Sequence, residues 1–157
     1  MNVYEKMLVE LSEELIIDDS ARLPNDLKGY YCNEYGEKVI LLDKYIETIA
    51  EKRCMLAEEL GHHYTTVGDI LDQSKIENRK QENKARRMAV KKLIRVEQLI
   101  EAFNAGVKNR FELAEFLDIT EEFLNMALEH FKGIYGLSHT IGDYIIYFEP
   151  LYIYKQL

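Results

Sequence analysis

Residues 57–64, which read Ala-Glu-Glu-Leu-Gly-His-His-Tyr, constrain the fold of this chain more than any other segment. Two glutamates are each followed four positions later by a histidine, giving the pairs Glu58/His62 and Glu59/His63. Residues four apart lie one turn apart on the same face of an α-helix, so both members of a pair can reach one metal ion. The pattern therefore predicts a helix that carries a carboxylate–imidazole pair.

The spacing alone does not choose between the two pairs, but the residue after the first ligand does. In the His-Glu-x-x-His helix of zinc peptidases, a glutamate at that position holds the attacking water and takes its proton. Glu59 occupies it if Glu58 and His62 bind the metal, whereas the other pair would place Leu60 there. We therefore predict Glu58 and His62 as ligands and Glu59 as the general base. The competing interpretation is a polar patch at a helix end, where the helix dipole favours histidine without any metal.

A catalytic zinc site needs a third protein ligand and one open position. Of the acids downstream, Glu82 is predicted to be that ligand in preference to Asp72 or Glu77. It stands at the head of a stripe of small residues in a second predicted helix, where Ala85 and Ala89 follow at helical spacing. Small residues at those positions would let the second helix lie close to the first.

These two segments together resemble a known family. The chain reads Leu-Ala-Glu-Glu-Leu-Gly-His-His-Tyr at 56–64, Glu-x-x-Ala-x-x-Met-Ala at 82–89 and Leu-Ile at 93–94. This is similar to the ImmA/IrrE metallopeptidases, whose pattern is an Ala-His-Glu-Leu-Gly-His helix followed by a Glu-x-x-Ala-x-x-Phe-Ala helix that ends in an apolar pair. The likeness extends over the preceding hairpin and, more loosely, over a C-terminal helix pair. This sequence departs from the family pattern at Glu58, which stands where the family has its first histidine.

The resemblance implies a cytoplasmic zinc-dependent endopeptidase of a phage or mobile element that cleaves a helix-turn-helix repressor. It implies His62 and Glu82 as metal ligands and Glu59 as the general base. Carboxylates also bind zinc, so Glu58 can complete a Glu/His/Glu set, in which manganese or iron would compete with zinc. Its added negative charge would make a bound water less acidic and lower activity at neutral pH. The alternative is a catalytically weakened relative that binds a repressor stoichiometrically, as an anti-repressor.

His63 and Tyr64 follow the second ligand directly and are the available groups for an oxyanion or substrate contact. For Tyr64 ordinary packing is the preferred interpretation. Cys54, one turn before Glu58, is interpreted as a buried apolar thiol rather than a ligand.

The charge of the chain is unevenly distributed. The formal net charge is −8, yet residues 75–95 contain nine lysines and arginines against two glutamates. A third possible function is therefore nucleic-acid binding through this segment, but a solvated helix face is the preferred interpretation, because no aromatic residue interleaves the charges. Residues 111–120 resemble the first half of a helix-turn-helix, but residues 97–130 hold eight acids against Lys108 and Arg110. Such a surface repels phosphate, so we expect a protein partner and no nucleic acid. No apolar run approaches the roughly 20 residues that are needed to span a bilayer, so no membrane is expected.

Length and pattern predict an α+β fold, mostly helical, with a small antiparallel sheet, a zincin-like helix core and a small C-terminal helical subdomain. We predict a metallopeptidase-like domain at 1–95 and a helical subdomain with a C-terminal strand at 96–157. The two cysteines have no Cys-x-x-Cys spacing and no secretory signal is visible, which favours the cytoplasm. The elements expected are helices at 3–16, 44–64, 75–94, 96–104, 111–117 and 120–131, a hairpin of strands at 27–32 and 38–42, and a strand or hairpin within 139–154.

Overall fold

The computed structural model describes residues 1–34, 36–65 and 75–157, without the side chains of Glu34 and of residues 75–78. The predicted connector at 67–72 lies outside the described residues. The fold is α+β, as predicted. Its elements are α1 (Val3–Leu11), β1 (Ile16–Ala21), β2 (Gly29–Glu34), β3 (Glu37–Asp43), α2 (Ile49–Thr65), α3 (Lys75–Leu93), α4 (Glu97–Asn104), α5 (Arg110–Leu117), α6 (Glu121–Tyr135), β4 (Ser138–Ile141), β5 (Tyr144–Phe148) and β6 (Leu151–Lys155).

The first sheet has the strand order β1-β3-β2. Strands β2 and β3 form the predicted antiparallel hairpin, in which Tyr31 pairs with Ile40. Strand β1 adds a parallel pairing to β3, which the sequence did not predict, with Ile16 opposite Val39. The predicted helix over 3–16 was wrong at its end, because α1 stops at Leu11 and Ile16 already belongs to a strand.

Helix α2 packs on this sheet through a stripe of small and aliphatic side chains. It begins at Ile49 rather than near residue 44, because the Asp43 carboxylate accepts hydrogen bonds from the backbone N–H groups of Leu23 and Tyr45 and holds the chain in a turn there. Cys54 is fully buried, as predicted. The stripe brings the last turns of α2, with its glutamates and histidines, beside β2. Its buried members are Cys54, Leu56, Ala57, Leu60 and Gly61.

Helix α3 has one buried and one charged face. Ala85, Ala89 and Val90 are buried, in line with the small-residue stripe in the sequence. Every lysine and arginine of this segment whose side chain is described is exposed, as predicted for a solvated face: Arg79, Lys80, Lys84, Arg86, Arg87, Lys91, Lys92 and Arg95.

Residues Met1–Lys92 and Leu93–Leu157 form two compact units. The second unit contains α4, α5 and α6 and an antiparallel sheet of order β4-β5-β6, where a single strand or hairpin was expected. Thr120 caps α6, as predicted, since its hydroxyl accepts a hydrogen bond from the Phe123 N–H. Among the described residues, no helix is both long and apolar enough to span a membrane.

Candidate metal-binding and catalytic site

The last turns of α2 and the middle of α3 form the walls of one pocket of about 150 Å³. His62 Nε2 lies 3.8 Å from Glu82 Oε1, so the predicted ligands from the two helices face each other. Both side chains are partly exposed, which leaves them accessible to an ion or a substrate. The residues that line the pocket are Glu58, Glu59, His62, Glu82, Ala85 and Arg86.

Gly61 allows the two helices to approach this closely. A Cβ atom at Gly61 would lie 2.2 Å from the backbone oxygen of Ala85, far inside van der Waals contact. Glycine in a helix interior costs roughly 1 kcal/mol relative to alanine. Here the missing side chain is what lets α3 place Glu82 opposite His62.

Glu59 is held against the neighbouring strand β2. The backbone N–H of Tyr31 donates a hydrogen bond to its carboxylate, and a Cβ at Gly29 would come within 3.0 Å of Glu59 Oε1. Burial first, and then the nearby charges of Glu58 and Glu82, raise the pKa of Glu59 to about 7, against the opposing effect of the Tyr31 hydrogen bond. A carboxyl group with a pKa near neutrality suits a general base at physiological pH.

The donor atoms around the pocket lie close to the spacing that a metal ion requires. Ligand atoms on one tetrahedral zinc ion lie about 3.3 Å apart, from bonds of about 2.0–2.1 Å. The 3.8 Å between His62 and Glu82 is slightly wider, and no three His, Cys, Asp or Glu side chains among the described residues already form a complete metal-binding group. The imidazole and two carboxylates around one pocket nevertheless have the chemistry of a divalent-metal site, and a small side-chain adjustment would bring His62 and Glu82 to ligand spacing.

His63 and Tyr64 are placed outside this pocket. His63 Nε2 lies 2.8 Å from Glu14 Oε1 and its Nδ1 lies 3.0 Å from the Tyr31 hydroxyl oxygen, while the Tyr64 hydroxyl donates to Glu14 Oε2 at 3.0 Å. Because a carboxylate only accepts, Nε2 is assigned the proton of a neutral ring and Nδ1 accepts from Tyr31. His63 therefore ties α2 both to the segment after α1 and to β2, whereas Tyr64 ties α2 to the segment after α1. The predicted contact of these two residues with an oxyanion or substrate remains a prediction.

Three residues near the site were missed in the sequence. Gly29, inside a strand, carried a usable signal, because glycine there often marks a close approach by another group. Arg86 also carried one, since it lies four positions after Glu82 on the same helical face. The pairing of Glu14 with His63 spans 49 positions and left no pattern in the sequence.

A larger groove of about 780 Å³ lies elsewhere in the same unit, beside the loop that precedes β2 and the start of α2. Its lining contains no histidine or cysteine, and Lys28 and Glu51 form an ion pair across it. Donor chemistry and the raised pKa of Glu59 therefore favour the smaller pocket as the reactive site, although the groove has the larger volume.

Comparison with known protein families assigns the chain to one of them. The Peptidase M78 family, described as an IrrE N-terminal-like domain, matches residues 14–129. This chain belongs to the M78 family. The match includes α2, α3 and Glu14, and it places the chain among metallopeptidases, which in this family are generally metal-dependent and typically use zinc. No curated protein and no solved structure matches the chain significantly.

The raised pKa of Glu59 predicts a pH-dependent stability of the metal-free protein. The folded state holds the Glu59 proton more tightly than the unfolded state, whose carboxyl titrates near 4.5, so stability is lost as the pH rises from about 4.5 through about 7. Glu59→Gln removes this effect. With a chelator present, the free energy of unfolding is measured for both proteins by urea unfolding. The value for the variant minus the value for the wild type should rise by up to about 3 kcal/mol between pH 4.5 and pH 8. A stability difference that stays constant over this range would show that the Glu59 proton is not held in this way.

Proposed function

We propose that this chain is a metal-dependent endopeptidase that acts in the cytoplasm on a helix-turn-helix repressor of a phage or mobile element. The observation that carries the proposal is the approach of His62 to Glu82, with Nε2 and Oε1 3.8 Å apart, in a pocket that Glu58 and Glu59 also line. Membership in the M78 family supports the peptidase chemistry. The repressor as substrate rests on the resemblance to ImmA/IrrE proteins.

Glu58, His62 and Glu82 would hold the ion, with zinc as the first candidate and manganese or iron as competitors in a carboxylate-rich set. When bound, such an ion would polarise the scissile carbonyl and lower the pKa of a water molecule. Glu59 accepts a proton from the attacking water and returns it to the leaving nitrogen. The Tyr31 N–H donates a hydrogen bond to the Glu59 carboxylate and so helps to position it beside β2.

The proposal is tested by coexpressing the chain with each helix-turn-helix repressor of its host and examining the repressors by mass spectrometry. We expect two fragments from one internal peptide bond of one repressor, absent when a chelator is added to the purified reaction and absent with Glu59→Gln. A repressor that is inactivated without cleavage, equally by the wild type and by Glu59→Gln, would favour the anti-repressor function instead.

A further inference from the structure

The pocket contains a cationic side chain, that of Arg86, which has no role in the proposed mechanism. Arg86 is the one lysine or arginine among the described residues that line it. Its side chain is exposed, and it makes no hydrogen bond or ion pair to the part of the chain that the structure describes. An arginine is always charged and carries five N–H donors in a planar fork, so this group is available to an oxygen atom of a ligand.

The backbone that carries Arg86 is fixed relative to the catalytic helix. Its neighbour Ala85 is buried, and the Ala85 backbone oxygen packs directly on Gly61 of α2. Glu82 lies one turn earlier on the same face of α3. The guanidinium is therefore attached next to the close contact between Gly61 and Ala85, at the pocket that Glu59 also lines.

The proposed reaction creates a need for such a donor. The water oxygen bonds to the carbonyl carbon, an electron pair of the C=O bond moves to the carbonyl oxygen, and the water proton passes to Glu59. The C–N bond then breaks, and the proton goes to the leaving nitrogen. The negative charge on the carbonyl oxygen develops beside the carboxylates of Glu58 and Glu82, which would repel it, while Glu59 becomes neutral as it takes up the water proton.

His63 and Tyr64, which were predicted as possible contacts for an oxyanion or substrate, are bonded to Glu14 and are not among the described residues that line the pocket. We propose that Arg86 donates hydrogen bonds to the peptide oxygen that gains negative charge when water attacks. This is a catalytic role, and it rests on the proposed function. It also explains how a pocket with the additional carboxylate of Glu58 can accept a developing anion.

A different role would be charge balance, in which Arg86 offsets Glu58 and supports metal binding without touching the substrate. The two roles differ in what removal of the guanidinium changes. A donor to the reacting oxygen acts mainly in the transition state, so its loss lowers kcat and leaves KM and bound metal nearly unchanged. A balancing charge acts on the metal site itself, so its loss changes metal content.

The test compares wild type, Arg86→Met, Arg86→Lys and the matched control Arg87→Met. Arg87 is the adjacent exposed arginine, its Nε donates to the Asn83 backbone oxygen, and it does not line the pocket. Bound metal is measured for each protein, and kcat and KM are measured on the repressor cleaved in the coexpression experiment. We expect Arg86→Met to lower kcat about a hundredfold with unchanged metal content, Arg86→Lys to recover part of the loss, and Arg87→Met to match the wild type.

Any of three results would overturn the proposed role of Arg86. They are a wild-type kcat in Arg86→Met, a loss of bound metal in Arg86→Met in parallel with its activity, and a loss of kcat in Arg87→Met equal to that in Arg86→Met. In those cases the wild type still binds metal and cleaves, so the proposed function stands. A wild type that neither binds metal nor cleaves any repressor contradicts the proposed function, and the role of Arg86 falls with it.

Discussion

Glu59→Gln is expected to lower the rate of peptide-bond cleavage at least about a thousandfold while metal content and fold are retained. Glutamine has the shape of glutamate, so it fits against Gly29, and its side-chain oxygen can still accept the Tyr31 N–H. It cannot accept a proton from water. The measurement is single-turnover cleavage of the repressor, with bound metal determined on the same preparation.

Glu51→Gln is the matched control for this variant. Glu51 lies two turns earlier on α2, outside the pocket, and pairs with Lys28 on the surface. The control undergoes the same chemical change in the same helix and should cleave at the wild-type rate. Full activity in Glu59→Gln would show that another group is the base, and loss of its metal would show that Glu59 is a ligand.

Gly61→Ala is expected to destabilise the protein by about 3 kcal/mol or more. The new methyl group would lie 2.2 Å from the Ala85 oxygen, and neither backbone can move without separating α2 from α3. That separation would also draw Glu82 away from His62, so the variant should lose bound metal together with stability. Urea unfolding and metal content, measured on one preparation, check both effects.

Gly133→Ala is the matched control, because Gly133 also lies within a helix but a Cβ there would meet nothing within 4 Å. Alanine is the better helix former, so this variant should gain roughly 0.5–1 kcal/mol. Opposite signs for the same substitution would locate the effect in the contact between Gly61 and Ala85. A Gly61→Ala protein with wild-type stability would mean that the two helices are not packed as tightly as the structure shows.

The parts of the fold that the sequence predicted are those with a local signal. The four-residue spacing of Glu58 and His62 and the alanines after Glu82 follow the helical period, so α2 and α3 could be placed from the sequence. The hairpin was visible because Gly36 separates two apolar segments.

Strand β1 had no such signal. Its residues 16–21 read Ile-Ile-Asp-Asp-Ser-Ala, with acidic side chains that are poor strand formers, and its pairing with β3 is a tertiary contact that overrides this preference. The direction of the His63 side chain was equally unpredictable. The position of a residue in a helix shows which face of the helix it lies on. The partner of its side chain, however, depends on which distant segment packs beside that face, and for His63 this segment contains Glu14.

The central claim is that Glu58, His62 and Glu82 form one metal site, and its most direct test is the metal content of the protein purified without chelator. The account predicts one divalent ion per chain, lost in His62→Ala and in Glu82→Ala and released on acidification, because carboxylates and imidazole must be deprotonated to bind. Glu58→His should hold zinc more tightly, since it restores the nitrogen donor. A wild type without metal, or one whose metal content is unchanged in His62→Ala and Glu82→Ala, would contradict the claim.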